Sequence, residues 1–475
     1  MALQGHVCNR PKNLLTDLEV DRIHAATLEV LEQVGVIFGD AGALRLLEQG
    51  GCQVDRGSGR VRFPDQLVEE CLQLCPEQFA LKARHPDYDL QVGGDRLLFQ
   101  SHPGLHIADL ETGERKEASF QDIAPLVRLI DALDEIHLAI MPTATVTEKD
   151  PRVMTEWVAA EQMRNTQKVT AHGAFHGCAK WVVEMAAVTN QQVYGQINSV
   201  SPLYYPRDQI RGGLEFVAGG HPICILPGPT LGATSPATLA GTLVLQNAEH
   251  LAGMVLVQLS HPGAPVTLAS YPHVMDMRNG APCIGGVEVG LMGAALAQIG
   301  RRYGIPTHPE FPMTDSKLLD EQTAFEKAMS LVLVAEAGPN LVTNGGALEA
   351  EKLWSPVQLV IDNELNGMVG RILDGITVTE ETLALDVIKE VGQTGQYLRS
   401  KHTRRSWRGE QFLPTLADRL AFSTWQAEGS RDITARARAL ALEHITKHQV
   451  PPLPEDQDRE LDRIVRAAEA EKLGK

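Results

Sequence analysis

Residues 305–322 read Ile-Pro-Thr-His-Pro-Glu-Phe-Pro-Met-Thr-Asp-Ser-Lys-Leu-Leu-Asp-Glu-Gln: a short extended segment, a polar loop and a helix start in one run. A helical stretch ending at Arg301-Arg302-Tyr303-Gly304 leads into it. A new helix opens near Asp320 with Glu321 and Gln322 in its first turn, where a carboxylate complements the positive end of the helix dipole. Between strand end and helix start stand His308, Glu310, Thr314, Asp315, Ser316 and Lys317. Thr-Asp-Ser suits a capped helix start and a binding loop equally, and the stretch alone leaves both readings open.

Outward from this run the same unit repeats. From Leu97 onward, short apolar segments alternate with amphipathic stretches for eight rounds, with strands expected at 97–101, 137–142, 168–174, 199–204, 223–227, 266–271, 305–311 and 341–344. Helices are expected at 119–133, 151–164, 178–193, 207–219, 236–259, 286–303, 320–337 and 355–373. Each helical crossover returns the chain to the same edge, so the strands pair in parallel, and eight such units point to an α/β chain folded as a closed (β/α)8 TIM barrel. No GxGxxG fingerprint opens a helix after a strand, which places an open doubly wound sheet second. The expected organisation is an N-terminal helical region over 1–96, the barrel over 97–375 and a C-terminal helical extension over 376–475.

The chain has 475 residues, 43% apolar and 22% charged, the composition of an ordinary globular protein. A net charge of −17 argues against a nucleic-acid surface, since the one dense basic run, 399–408, sits in an acidic chain. Seven cysteines with no CxxC pair suit a reducing compartment. The N-terminus lacks a basic region followed by an apolar one, and no apolar run approaches about 18 residues. A cytoplasmic protein with no membrane partner is expected.

In such a barrel the site lies at the C-terminal ends of the strands. Those positions hold His102, His172, Phe175, Tyr204, Tyr271, His308, Glu310, Phe311 and Asn344, in a chain only 5% aromatic. The enrichment suggests aromatic walls with few full charges. Such walls suit an alkylammonium, stabilised over each ring by roughly 0.5–2 kcal/mol, with Glu310 as a supplementary carboxylate. By position, Phe175, Tyr204, Tyr271 and Phe311 would cradle the cation while His102, His172, His308 and Asn344 orient its other end, a carboxylate included. Metal chemistry is the competing reading for a chain with 16 histidines. No HExxH motif occurs, and His102/His106 and His172/His176 have i, i+4 spacing but fall at strand-to-loop junctions. A zinc site from His172, His308 and Cys283 stays open, whereas no GxSxG elbow supports a serine nucleophile.

Several ordered motifs together resemble one family: Asn-Gly-Gly at 344–346, Thr-Asp-Ser-Lys at 314–317 with Asp320 and Gln322, and Leu-Pro-Gly-Pro-Thr-Leu-Gly-Ala-Thr-Ser-Pro at 226–236. Gly-Gln-Tyr-Leu at 395–398, His402-Thr403 and Asp418-Arg419 complete the set. The chain thereby resembles the trimethylamine methyltransferase (MttB) superfamily from about Leu15 to Leu453. The resemblance implies a (β/α)8 barrel moving a methyl group from an amine to the Co(I) of a separate corrinoid protein. No cofactor is then bound tightly, because the cobalamin comes with the partner. Members acting on trimethylamine carry pyrrolysine at or next to the position of Met313. This chain has ordinary residues throughout and resembles the non-pyrrolysine branch, whose substrates are quaternary amines such as glycine betaine, proline betaine or carnitine. The competing functions are a zinc-dependent methyltransferase or hydrolase on the same barrel, and a non-catalytic module that binds a corrinoid protein or an amine. A homo-oligomer is left open.

Overall fold

The computed structural model describes residues 5–474 apart from Ala144, His176, Phe311 and the side chain of Thr394. Its middle alternates strand and helix. The strands are Arg96–Gln100 (β1), Leu138–Ile140 (β2), Val169–Gly173 (β3), Val193–Asn198 (β4), Ile223–Leu226 (β5), Val266–Ser270 (β6), Thr307–Pro309 (β7) and Leu341–Thr343 (β8). Each is followed by a helix: Phe120–Ala132 (α1), Met154–Asn165 (α2), Ala179–Val188 (α3), Arg207–Ala218 (α4), Leu239–Ser260 (α5), Val287–Tyr303 (α6), Glu321–Glu336 (α7) and Pro356–Asp374 (α8).

The strands form one sheet in the order β8-β1-β2-β3-β4-β5-β6-β7, every pair parallel, and His6–Val7 adds an antiparallel segment on β1. Most of these strands are buried along their whole length, as expected of a parallel sheet covered by helices. The sheet curls until its end strands meet. The N–H of Asn340 donates to the carbonyl of Thr307 at 3.1 Å, and His308 Nε2 lies 2.8 Å from Thr343 Oγ1. No paired ladder joins β7 to β8 among the described residues.

Local signals set the helix starts. Asp320 accepts the N–H of Thr323 at 3.0 Å to cap α7, and Ser355 accepts that of Gln358 at 3.2 Å, with Pro356 in the first turn of α8. At the end of α6, Gly304 takes the left-handed conformation that closes a helix, with φ +65°.

One strand is misplaced by the sequence reading. The fourth was expected at 199–204, but α3 ends at Val188 and β4 occupies Val193–Asn198. Pro202 has no N–H for a ladder, which keeps 199–204 out of a central strand. Gly195 lies inside β4, where a Cβ would meet the Phe216 ring at 2.8 Å, so α4 packs directly on the strand backbone.

Before β1, the helices Asp17–Glu29, Ala41–Gln49 and Asp65–Leu74 alternate with short strands. Val36–Phe38, Gln53–Asp55 and Arg60–Arg62 form a small sheet with Tyr204–Tyr205. After α8, residues 376–432 are largely exposed. The chain then returns as Ile433–Lys447, which buries Ala437 and Ala441 in the cluster containing Ile123, Ile130 and Val360. The last helix, Glu455–Leu473, buries Leu461, Ile464, Val465 and Ala468. It is tied to α2 by Arg164, whose guanidinium reaches Asp458 and Asp462 at 2.6 Å each, and by Lys472 paired with the fully buried Glu156. Among the described residues no helix is long and apolar enough to cross a membrane.

Candidate active site

A cavity of about 380 Å³ opens at the C-terminal end of the sheet. Gln100 and His102 come from β1 and its loop, Ile140 and Met141 from β2, Gly173 and Phe175 from β3, and Gln196 and Asn198 from β4. Leu226, Tyr271 and Glu310 follow from β5, β6 and β7, Met154 and Thr155 from the start of α2, and Glu351 from the loop after β8. Side chains from every strand unit therefore converge on one space, as strand-end geometry requires.

Glu310 dominates the electrostatics. It is 7% exposed, and its carboxyl has no hydrogen-bond partner among the described residues. Burial raises its pKa to about 7, a rise opposed by the His102 charge and assisted by that of Glu351. Across the cavity, His102 Nε2 lies 3.1 Å from Glu351 Oε2, and its Nδ1 lies 2.5 Å from the carbonyl oxygen of Pro103. Both ring nitrogens thus face acceptor oxygens. Burial works against the Glu351 charge, but the His102 hydrogen bond and the nearby histidine charges outweigh it and hold that pKa below the ordinary value.

Aromatic and thioether surfaces complete the walls. Phe175 lies over Gly173, where any Cβ would come within 2.1 Å of the ring, so the glycine makes room for it. Tyr271 stacks edge-on against His273 with centroids 4.6 Å apart. Gln100 Oε1 and Asn198 Oδ1 are buried without hydrogen-bond partners, two polar atoms of the wall available to a ligand, whereas the Tyr271 hydroxyl faces the Glu351 carboxylate.

Beneath the cavity runs a chain of hydrogen bonds. Thr267 Oγ1 pairs with the Tyr194 hydroxyl, which lies 3.2 Å from His308 Nδ1; His308 Nε2 meets Thr343 Oγ1 at 2.8 Å, and Gln100 Nε2 donates to the same hydroxyl at 3.3 Å. Burial lowers the pKa of His308 to about 3, so it sits neutral in this floor. His308 is thus a support for Gln100 and not a wall of the cavity.

The expected site residues divide accordingly. His102, Phe175, Tyr271 and Glu310 line the cavity. His172 is fully buried with Nε2 3.1 Å from Thr170 Oγ1, and burial lowers its pKa to about 3. Asn344 donates to Asn366 Oδ1 at 2.6 Å, away from the cavity wall. Tyr204 pairs in a ladder with Ile37 of the N-terminal sheet, because β4 ends six residues before it. Met313 is 1% exposed in the apolar core, so the side chain that this strand end presents to the cavity is Glu310. Phe311 and His176 lie outside the described residues. His172, His308 and Cys283 do not converge, and among the described residues no group of three or more His, Cys, Asp or Glu is arranged to hold a metal ion.

Sequence reasoning missed Glu351, Gln196, Asn198, Met141 and Met154. Glu351 reaches the cavity through three consecutive left-handed residues, Glu349, Ala350 and Glu351, with φ of 53°, 49° and 63°. That turn is pinned by Glu349 N–H to the Ser316 carbonyl at 2.7 Å and Ala350 N–H to that of Thr314 at 2.9 Å. The Thr314-Asp315-Ser316 loop is therefore scaffold. Its Thr314 hydroxyl donates to Glu326 at 2.6 Å, Asp315 accepts the N–H groups of Ile284 and Gly285 at 3.1 Å each, and Ser316 donates to the helix cap Asp320 at 2.8 Å.

Comparison with known proteins matches this architecture. A family model described as trimethylamine methyltransferase (MTTB) matches residues 4–472. The trimethylamine methyltransferase MttB of Desulfitobacterium hafniense (strain DSM 10664 / DCB-2) is 34% identical over 467 residues, 96% of this chain and 94% of that protein. The glycine betaine methyltransferase of Desulfitobacterium hafniense (strain Y51) is 32% identical over 469 residues, 95% of this chain and 96% of that one. Among solved structures, the Methanosarcina barkeri monomethylamine methyltransferase (MtmB) superposes with a TM-score of 0.52 at 12% identity, covering 94% of this chain and 96% of that one, a likeness of fold alone.

Proposed function

Because the chain belongs to the trimethylamine methyltransferase family, and so to the methyltransferases, we propose that it moves a methyl group from a quaternary amine, of about the size of glycine betaine, to the Co(I) of a partner corrinoid protein in the cytoplasm. The observation that carries this reading is the buried Glu310 carboxyl, without a hydrogen-bond partner among the described residues, facing a cavity walled by Phe175, Tyr271, Met141 and Met154. Such a space holds an alkylammonium by ring faces and a carboxylate. The proposal includes closure of the curled sheet into a (β/α)8 barrel over about 97–375, with the flanking regions packed outside it.

The partner's corrinoid would supply the nucleophile. The N–CH3 bond breaks with its electron pair staying on nitrogen, which departs as a neutral tertiary amine, so no general acid is needed. This chain's residues then position the methyl and exclude water. Charge leaves the nitrogen as the bond breaks, and a strong desolvated ion pair would therefore stabilise the reactant more than the transition state. Ring faces and a carboxyl poised near neutrality hold the cation at a smaller cost of that kind. Docking of a partner at the strand-end face is supported by exposed apolar residues on the loops after β1, β3, β4, β6 and β7: Leu105, Phe175, Val200, Met277 and Leu318.

A tertiary amine needs activation by an electrophile, and β7 offers a carboxylate at Glu310 and a core residue at Met313. The test is a panel of quaternary amines and trimethylamine mixed with the enzyme and a reduced corrinoid protein, followed by the absorbance change on cobalt methylation. A quaternary amine is expected to react fastest. Trimethylamine matching or exceeding every quaternary amine would overturn the reading.

A further inference from the structure

The charges around the cavity bear on what the other end of the amine can be. Glu310 and Glu351 line it, and their negative charges, with that of Asp315, act on the Tyr271 hydroxyl between them. Among the described residues no Lys or Arg lines the cavity. Among the described residues the one cationic candidate in the wall is His102, and both its nitrogens are spent, on the Pro103 carbonyl at 2.5 Å and on Glu351 at 3.1 Å. Lys352, next to Glu351, is exposed and outside the lining. Lys327 is buried 3.2 Å from Asp362. A carboxylate entering this space would find two like charges and, among the described residues, no free counter-charge, leaving only neutral donors such as the Gln196 amide and the Thr155 hydroxyl to offset its desolvation. The wall atoms buried without a partner include two acceptors, Gln100 Oε1, whose amide N–H already serves Thr343, and Asn198 Oδ1, while the Gln196 amide and the Thr155 hydroxyl are neutral donors in the same lining. Acceptors of this kind take a hydroxyl or an amide N–H.

We infer that the amine taken by this site has a neutral, hydrogen-bond-donating tail, as in a hydroxyalkyl- or amidoalkyl-trimethylammonium, and that a carboxylate tail is selected against. The inference rests on the quaternary-amine reading above and narrows its substrate class. Glycine betaine then matches the site in size but not in charge.

The probes are tetramethylammonium, choline and glycine betaine, titrated calorimetrically into the full-length chain at pH 8. Choline is expected to bind at least tenfold more tightly than glycine betaine, with tetramethylammonium between them. The Glu351→Gln and Glu310→Gln variants should narrow the gap between choline and betaine, while the wild-type comparison stands without either. Glycine betaine binding as tightly as choline, or more tightly, overturns the inference. If betaine also outpaces choline in methyl transfer to a reduced corrinoid protein, the quaternary-amine reading survives and the tail assignment alone falls. If none of the three binds while trimethylamine does, both fall together.

Discussion

His102 Nε2 lies 3.1 Å from Glu351 Oε2 and so joins the loop after β1 to the loop after β8 across the mouth of the cavity. The joined segment is strained, since Glu349, Ala350 and Glu351 all have positive φ, a conformation costing of order 1 kcal/mol or more per non-glycine residue. Two backbone hydrogen bonds to Thr314 and Ser316 and the His102 pair hold it in place.

Replacing Glu351 by Gln removes one cavity charge and the ionic half of that clasp. Affinity for tetramethylammonium is expected to fall about tenfold, roughly 1.4 kcal/mol, with faster amide hydrogen exchange over residues 349–352. Unchanged affinity together with unchanged exchange would show that the pair neither holds the loop nor acts on the cation.

Cation binding should depend on pH through Glu310. Its pKa, raised by burial to about 7, leaves it mostly neutral below that value and mostly ionised above, with His102 and Glu351 the charges that face it. A bound cation favours the ionised form, so affinity rises several-fold between about pH 6 and 8 and then levels, and Glu310→Gln flattens the profile. Stability runs the other way. A folded pKa above the unfolded one contributes stability that is full below about 4.5 and lost as pH rises through about 7. Chemical denaturation of the wild type and the Gln variant at pH 6 and pH 8 measures this; equal pH slopes would contradict it.

Lys327 and Asp362 are 1% and 0% exposed with their charged atoms 3.2 Å apart, joining α7 to α8. Asp362 also accepts the Gly346 N–H at 2.8 Å, which fixes the turn leading to Glu351. Lys327→Met leaves a buried carboxylate without its counter-charge and is expected to destabilise the chain by about 3–5 kcal/mol. The Lys327→Met, Asp362→Leu double variant should recover part of that loss. Urea unfolding gives both numbers, and a cost below about 1 kcal/mol for the single variant would reject the assignment.

Gly173→Ala tests the aromatic wall. A Cβ there would sit 2.1 Å from the Phe175 ring, which must swing away. The expected result is a rise of tenfold or more in the KM for the quaternary amine with a thermal midpoint within a few degrees of wild type. An unchanged KM would mean that Phe175 contributes nothing to the cation's binding.

The alternation of strand and helix was legible in the sequence because its signals are local: apolar runs too short for helices, caps such as Asp320 and Ser355, and the left-handed stop at Gly304. Strand-end reasoning likewise placed His102, Phe175, Tyr271 and Glu310 at the end of the sheet where they line the cavity, since parallel strands deliver their last residues to one end. It could not say which neighbours turn away from the cavity, as His308 does into its floor and His172 onto the opposite face of β3, where it pairs with Gly195, because side-chain direction depends on the register and tilt of the assembled sheet. Tyr204 was misassigned for a related reason: Pro202 and the true extent of β4 place it beyond the strand end, paired with Ile37. The tertiary structure alone decided the role of the Thr314-Asp315-Ser316 loop and the arrival of Glu351, about forty residues past Glu310, through a turn stable only because distant carbonyls pin it. Local chemistry selects elements residue by residue, whereas a binding cavity is a relation among loops, and it comes into being only when the fold brings their charges together.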